Sequence, residues 1–449
     1  MLYRKAYDEL IQWKARGGKS SLLIEGARRV GKTTLAKKFA KENYRSSIYI
    51  DFSKPSREVK GIFESQGDDV DSFLSYLSIL TGTTLYPRES LIIFDEVQRY
   101  PQARGFLKHL VEHGQFDYVA TGSLLSIKQN VDEILIPSEE EALELNPLDF
   151  EEYLIAAGER ELARFLEETS RNPKVIIEGV HKKAMMHFRE YMLVGGMPQA
   201  VEEYLANKDF HKVDRVKRNI LRLYRNDIAR FAKGYESKVI SIFEGIPSQL
   251  AMKEKGFTLA SISKNARMRD YEEAFFWLDD ARVVNTCFNS REPSVGLGLN
   301  EDRVTLKCYM ADTGLLVTHA FASRKDTDDS IYRAILFDNI GINEGMILEN
   351  MVAQIFRASG RKLYYYSRRD QNNRENTMEI DFLIIRDEGV KPKVSPVEVK
   401  SSKRYSVRSL EKFRKKFGSR IGDEIVLHPG NVSIDANRIK LPLYLAPWL

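Results

Sequence analysis

Residues 21–37 read SLLIEGARRVGKTTLAK, an apolar run that passes through a loop with a glycine at each end into helical spacing. That order predicts a buried strand, a phosphate cradle and a helix start. Gly26 and Gly31 frame a GxxxxGKT pattern, and backbone N–H groups between them can converge on a phosphate because no Cβ blocks its approach. In such a loop Lys32 supplies the charge for the β- and γ-phosphates and Thr33 a hydroxyl for Mg²⁺, with Thr34 beside it as a further nucleotide-binding candidate. Leu35, Ala36, Phe39 and Ala40 share one stripe of the following helix, whose N-terminal dipole faces the same anion. A mere surface loop containing glycines would leave the preceding apolar strand unexplained. Binding of ATP or GTP is the expectation.

Up to about residue 150, short apolar strands alternate with helical segments, as a mostly parallel sheet with helices on its faces requires. IYIDF at 48–52, LIIFD at 91–95 and YVAT at 118–121 each end in a polar residue, at the edge where open α/β sheets bind ligands. LIIFDEV delivers Asp95 and Glu96 to its tip. Following a phosphate loop, Asp95 would hold the Mg²⁺ water shell, and Glu96 would orient or deprotonate the attacking water. Alone, an apolar strand ending in two acids is often only a soluble strand-to-loop junction.

Together, the phosphate loop, the LIIFDEV strand and Thr121-Gly122-Ser123 resemble the ATPase module of AAA+-type proteins. The resemblance implies a γ-phosphate sensor at Ser123, or alternatively at Thr121. Arg28 matches an arginine usual in the nucleotide-binding loop of one large bacterial and archaeal ATPase family, although Arg29 stands where that family often has glutamine. LNPLDFEEYL at 145–154, LVGGMPQAV at 193–201 and YRNDIARF at 224–231 are also similar to it. Members of that family join the ATPase to a carboxyl-terminal domain resembling restriction endonucleases, and the likeness covers nearly the whole chain. Arg99, Arg104 and Arg160 are all candidates for an arginine finger.

From residue 344 onward the periodicity predicts a helix (344–358), strands at 363–367, 379–386 and 395–401, a helix (407–417) and a strand (424–427). This αβββαβ order matches the core of restriction-endonuclease-like nucleases. Glu398 and Lys400, two apart on one strand, share a face; Asp381 lies on the preceding strand and Glu349 on the opening helix. In the family pattern Glu349, Asp381 and Glu398 would hold Mg²⁺ while Lys400 assists the attacking water, and hard carboxylate oxygens suit that ion. The alternative is a structural ion-pair ladder of Asp381, Glu398 and Lys400. A simple hairpin pairing Asp381 with Glu398 centres its turn between Gly389 and Val390, with Pro396 as the residue that threatens a bulge.

Between these regions, residues 150–252 read as mostly helical, with Gly195, Gly196 and Pro198 marking a tight structural bend. Residues 256–288 read as a short helix, a turn, a longer helix (Tyr271–Leu278) and a strand, an order that suits a winged helix. Asp270, Glu272, Glu273, Asp279 and Asp280 complement phosphates poorly, which favours a packing or oligomer-contact role for the longer helix over DNA contact.

The 449 residues imply two or three domains, and no apolar run reaches membrane-spanning length. Two cysteines, Cys287 and Cys308, make no disulfide framework and suggest a reducing, cytoplasmic setting. The net charge of +5 is unevenly placed: residues 212–233 carry +6 and residues 400–420 carry +8, which leaves −9 on the rest. Such basic stretches are a footprint for a phosphate backbone or, for the first, simply a solvated helix face. The expected class is α/β in three parts: an AAA+-like P-loop domain with a parallel sheet (1–150), a helical and winged-helix middle (151–310) and a restriction-endonuclease-like domain (311–449). The expected function is ATP hydrolysis with Mg²⁺, coupled to binding and further to cleavage of nucleic acid, DNA favoured. The alternative is a nucleotide-controlled switch or scaffold that binds DNA or protein without cutting. A small-molecule kinase is disfavoured because Glu96 suits water activation. No membrane partner is expected, and homo-oligomerisation is an open question.

Overall fold

The computed structural model describes residues 2–65, 69–122, 140–252, 256–262, 266–321, 332–333, 336, 344–388, 391–435 and 437–449. The chain divides between Asn146 and Pro147 into two units, Tyr3–Asn146 and Pro147–Leu449.

In the amino-terminal unit β1 (Ser21–Glu25), β2 (Ser46–Asp51), β3 (Ser90–Asp95), β4 (Asp117–Gly122) and β5 (Glu140–Glu144) form one sheet in the order β2-β3-β4-β1-β5. All four pairings are parallel. β1, β3 and β4 are buried at every position, as strands covered on both faces must be, and their continuous apolar runs follow from that. β5 has no such run. Its EEALE sequence places only Leu143 in the core, and its position comes from the parallel ladder with β1, Ser21↔Glu140 to Glu25↔Glu144. Phe52, Phe63, Phe73, Phe94 and Phe106 pack edge to face in this unit, with centroids of 4.8 Å for Phe63–Phe73 and 4.7 Å for Phe73–Phe106. Each such pair adds about 0.5–1.5 kcal/mol beyond burial, so the ends of β2 and β3 are held rigidly.

The carboxyl-terminal unit opens with helices from Phe150 to Ala251. The bend at Gly195 and Gly196 is structural, as expected. Gly195 has φ +83°, and a Cβ on Gly196 would fall 2.1 Å from the Leu148 carbonyl oxygen. Leu148 donates its N–H to the Gly196 carbonyl at 2.7 Å, and Asp312 accepts the Gly196 N–H at 2.6 Å. Leu148 and Gly196 are therefore two sides of one packed junction.

Beyond the helices come β6 (Val284–Ser290), β7 (Glu301–Met310), β8 (Leu363–Arg368), β9 (Met378–Ile380), β10 (Phe382–Glu388), β11 (Lys391–Val399), β12 (Glu424–His428), β13 (Ser433–Asp435) and β14 (Arg438–Pro442). They form two sheets, β7-β6-β8-β9 and β10-β11-β12-β14-β13. The boundary expected near residue 310 runs through the first sheet, because β6 pairs antiparallel with β7 and parallel with β8. Residues of the expected middle and carboxyl-terminal parts thus share one sheet and one unit.

The helix Glu344–Ala358, β8, β9 with β10, β11, the helix Arg408–Phe417 and β12 follow the predicted element order. The strand predicted at 379–386 is broken at Asp381, its halves entering different sheets. The hairpin register is the predicted one, running from Phe382↔Val397 to Glu388↔Lys391, and Leu383↔Pro396 stays in step without a bulge. Its turn, at Gly389 and Val390, lies outside the described residues. The short helix expected before the acidic one is a single turn, Leu259–Ser261. The acidic helix, Glu272–Asp280, buries Ala274, Phe275, Trp277 and Leu278, and Asp279 accepts both the N–H and the hydroxyl of Thr286 at 2.9 Å. That helix packs through this buried face, and the strand after it belongs to the β7-β6-β8-β9 sheet.

Candidate functional site

The carboxyl ends of four parallel strands meet at Asp95. Gly26 leaves β1 with φ +152°, and a Cβ there would lie 2.2 Å from the Leu145 carbonyl oxygen, so only glycine fits. The loop closes at Gly31, φ 104°, which begins the helix Lys32–Asn43. Lys32 is buried, and its ammonium donates to the carbonyls of Gly26 at 2.8 Å and Ala27 at 3.1 Å. Arg28 is half-buried in the loop; Arg29, φ 72°, and Thr34 are exposed.

Thr33 Oγ1 donates to the Asp95 carboxylate, 2.9 Å from Oδ1 and 3.0 Å from Oδ2. Tyr49 on β2 donates to Oδ2 at 2.6 Å, and Thr121 on β4 donates to Oδ1. Burial first, and then the bond to Asp95, push the Tyr49 phenol well above its ordinary pKa, so it remains a donor. Asp95, 4% exposed, is thus satisfied by three neutral hydroxyls. Oxygen donors of this kind fit Mg²⁺, and the glycine-lined loop beside them fits a phosphate chain.

Glu96 follows in the left-handed region, φ 55°. For a side chain with a Cβ that conformation costs about 1–3 kcal/mol and needs support from its surroundings. The support is visible: its N–H donates to Thr121 Oγ1 at 3.3 Å, Gln98 Nε2 donates to its carboxylate at 2.7 Å, and Arg99 Nε lies 3.9 Å away. Ser123 lies outside the described residues, whereas Thr121 is in direct contact with Asp95. Arg104 is buried and paired with Glu140, which removes it as a finger reaching another subunit; Arg160 is exposed. Tyr49 and Gln98 escaped the sequence reading. IYIDF reads only as a strand ending in a polar residue, which says nothing of what Tyr49 faces.

Of the second group of predicted residues, Glu349, Asp381 and Lys400 line a cavity of about 310 Å³ in the carboxyl-terminal unit, together with Glu379, Lys307 and Tyr405 among others. Asp381 sits at the break between β9 and β10, and its Oδ2 accepts the Val399 N–H at 2.8 Å. Glu398, 3% exposed, is paired with the Lys400 ammonium. Glu349 accepts from Lys307 Nζ at 2.9 Å and from the Tyr309 hydroxyl; the same Nζ lies 2.8 Å from Glu379. Among the described residues, no group of three or more His, Cys, Asp or Glu is arranged to hold a metal ion. The predicted Mg²⁺ ligands Glu349, Asp381 and Glu398 share a neighbourhood, but ammonium groups already satisfy Glu349 (Lys307) and Glu398 (Lys400), and that donor set does not fit the ion.

Burial and then the Glu349 charge push the Asp381 carboxyl up to about 8. Burial also raises Glu398, against the pull of Lys400. For Glu349 burial acts upward, but the Lys307 charge and the hydrogen bonds from Lys307 and Tyr309 outweigh it and hold the group low. For Lys307 burial acts downward, and the charges of Glu349, Glu379 and Asp381 carry it well above the ordinary lysine value. Lys307, Tyr309 and Glu379 went unnoticed in the sequence because nothing in their local pattern distinguishes them.

The basic stretches differ from their sequence impression. In 212–233, Lys217 is fully buried and donates to the Leu193 carbonyl at 2.7 Å, and Arg218 and Arg225 pair with Asp214 and Glu244. In 400–420, the helix Arg408–Phe417 buries Leu410, Phe413 and Phe417. Arg414 and Lys416 turn inward to Glu424 and the Tyr366 hydroxyl, and Lys412 reaches the Thr377 carbonyl. Lys403, Arg404, Arg408 and Lys415 remain exposed. No described helix is long and apolar enough to cross a membrane.

A family model described as an AAA domain matches residues 18–154. Two models of domains of unknown function, DUF8612 and DUF4143, match residues 185–326 and 344–446. No curated protein matches the chain. Among solved structures, the chain is similar to Aeropyrum pernix ORC1 in complex with DNA, at 13% identity over 76% of this chain and 93% of that one, with a TM-score of 0.30. It is similar also to a Thermotoga maritima RuvB mutant (13%, 65% and 90%, TM-score 0.30) and to AMPPCP-bound DnaA from Aquifex aeolicus (13%, 62% and 80%, TM-score 0.28). The amino-terminal unit is an AAA-type P-loop domain with a five-stranded parallel sheet.

Proposed function

We propose that the protein binds and hydrolyses ATP with Mg²⁺ in its amino-terminal unit and couples this to binding of nucleic acid, DNA in the first instance, by its carboxyl-terminal unit. The observation that carries the reading is the meeting of Lys32, Thr33, Asp95, Glu96 and Thr121 at one edge of a parallel sheet. Bound Mg²⁺ would neutralise charge on the β- and γ-phosphates. Lys32 would exchange its two loop carbonyls for phosphate oxygens. Glu96, restrained by Gln98 and Arg99, would direct a water at the γ-phosphorus as the bond to the β–γ bridging oxygen breaks. Arg28 and Thr34 are proposed at the nucleotide, with Ser123 or Thr121 at the γ-phosphate.

The exposed Lys403, Arg404, Arg408 and Lys415 support the nucleic-acid part, since a phosphate backbone needs accessible positive charge. The element order from Glu344 to His428 supports a restriction-endonuclease-like ancestry for this unit. The buried free Cys287 and Cys308 suit a cytoplasmic setting. Cleavage is not proposed: of the carboxylates that would carry it, Glu349 is paired with Lys307 and Glu398 with Lys400. The test is ATP turnover by the purified chain with and without duplex DNA, in Mg²⁺ and in EDTA. Expected is Mg²⁺-dependent turnover altered by DNA; no turnover under any condition overturns the reading, and turnover indifferent to DNA leaves the switch or scaffold with a protein partner.

A further inference from the structure

We propose that the carboxyl-terminal cavity carries its own resident cation, the Lys307 ammonium, held between Glu349 and Glu379 where it takes up the Glu349 oxygen that a divalent ion would need, so that this unit works without a bound metal and does not cut phosphodiester bonds. The inference is independent of whether the amino-terminal unit hydrolyses ATP.

The ammonium is delivered by built structure. Lys307 is 7% exposed and sits on β7 opposite Cys287 of the wholly buried β6. Tyr309, two residues along and hence on the same face, donates to the same Glu349 Oε1 that Lys307 contacts at 2.9 Å. A metal seeking that oxygen would have to displace two donors fixed by one strand. Of the other acids, Glu398 is paired with Lys400, and Asp381 has one oxygen, Oδ2, engaged by the Val399 N–H at 2.8 Å. A divalent ion entering the cavity would meet two ammonium groups, Lys307 and Lys400, whose repulsion is strong in a partly desolvated space. β7 precedes the αβββαβ run, so the charge comes from outside the core that holds the acids.

The experiment uses the full chain without nucleotide, Mn²⁺ titration read by electron paramagnetic resonance, thermal melting, and a duplex-DNA cleavage assay. Expected for wild type is no Mn²⁺ site that Asp381→Asn removes, no Mn²⁺ shift in melting, and intact DNA in Mg²⁺ or Mn²⁺. Lys307→Met should gain a Mn²⁺ site, its dissociation constant at least tenfold below any wild-type value, and its melting temperature should rise with Mn²⁺. Wild-type Mn²⁺ binding or cutting that Asp381→Asn or Glu349→Gln abolishes overturns the proposal, as does a folded Lys307→Met that gains no site. Should Lys307→Met fail to fold, the wild-type and Asp381→Asn measurements decide alone.

Discussion

Asp95 in the amino-terminal unit and Glu349 in the carboxyl-terminal unit are both partly or wholly withdrawn acids at the junction of several elements, and they are satisfied in opposite ways. Asp95 is held by the hydroxyls of Thr33, Tyr49 and Thr121, all neutral. Glu349 is held by a phenol and an ammonium. Neutral donors orient a carboxylate and leave its charge available to an arriving cation; an ammonium orients it and cancels the charge. A carboxylate thereby meets only neutral donors in one unit and an ammonium in the other.

The largest effect that could break this contrast lies at the phosphate loop. Lys32→Ala should weaken ATP binding by about 10²-fold or more, since charge-assisted hydrogen bonds contribute about 1.5–3 kcal/mol each; titration with a fluorescent ATP analogue reads it. Retained wild-type affinity would mean that the ammonium stays on its loop carbonyls. Glu96→Gln should keep ATP binding and lower turnover by roughly 10²-fold. Wild-type turnover in that variant would assign water activation elsewhere.

A second buried lysine sharpens the comparison with Lys307. Lys217 is also withdrawn from water, yet it bonds the Leu193 carbonyl and the Tyr332 hydroxyl, and burial takes its pKa down to about 8 against the charges of Asp214 and Asp312. Its folded value lies below the ordinary 10.5 of the unfolded chain, so above pH 8 the unfolded state binds more protons and stability rises with pH. Lys307, raised by its carboxylates, contributes the opposite sign and keeps its proton throughout that window. Between about pH 7 and about pH 9.5, wild type should gain up to about 2 kcal/mol in unfolding free energy relative to Lys217→Met. Denaturant titrations at the two pH values check this, and a pH-independent difference would remove it.

The smallest effect concerns the exposed cations of the carboxyl-terminal unit. If Lys403 and Lys415 contact phosphates, replacing both by alanine should lower the slope of log affinity against log salt by about 0.9 per contact on duplex DNA. Lys412, tied to the Thr377 carbonyl, should contribute less. An unchanged slope in the double variant would move any nucleic-acid surface away from residues 400–420.

What could be read from the sequence was whatever a few consecutive residues settle among themselves. β1, the Gly26–Gly31 loop and the helix from Lys32 were legible because strand burial, left-handed glycines and helix initiation are local requirements. The hairpin register was legible for the same reason, since a short connection leaves little choice of pairing. β5 was not, because EEALE becomes a strand only by lying beside β1. The break at Asp381 was not, because it arises where one strand must serve two sheets.

The sequence by itself thus determined which acids could bind a metal, through residue type and spacing along single elements. Only the tertiary structure decided which of them meets neutral donors and which meets an ammonium. That choice rests on whether hydroxyls of Thr33, Tyr49 and Thr121 or the ammonium of Lys307 arrive at the carboxylate, and Lys307 reaches Glu349 across 42 residues. Electrostatic contacts of that kind depend on distance in space and on exclusion of water, and both are set by the packing of β7 against the helix Glu344–Ala358 rather than by any local pattern.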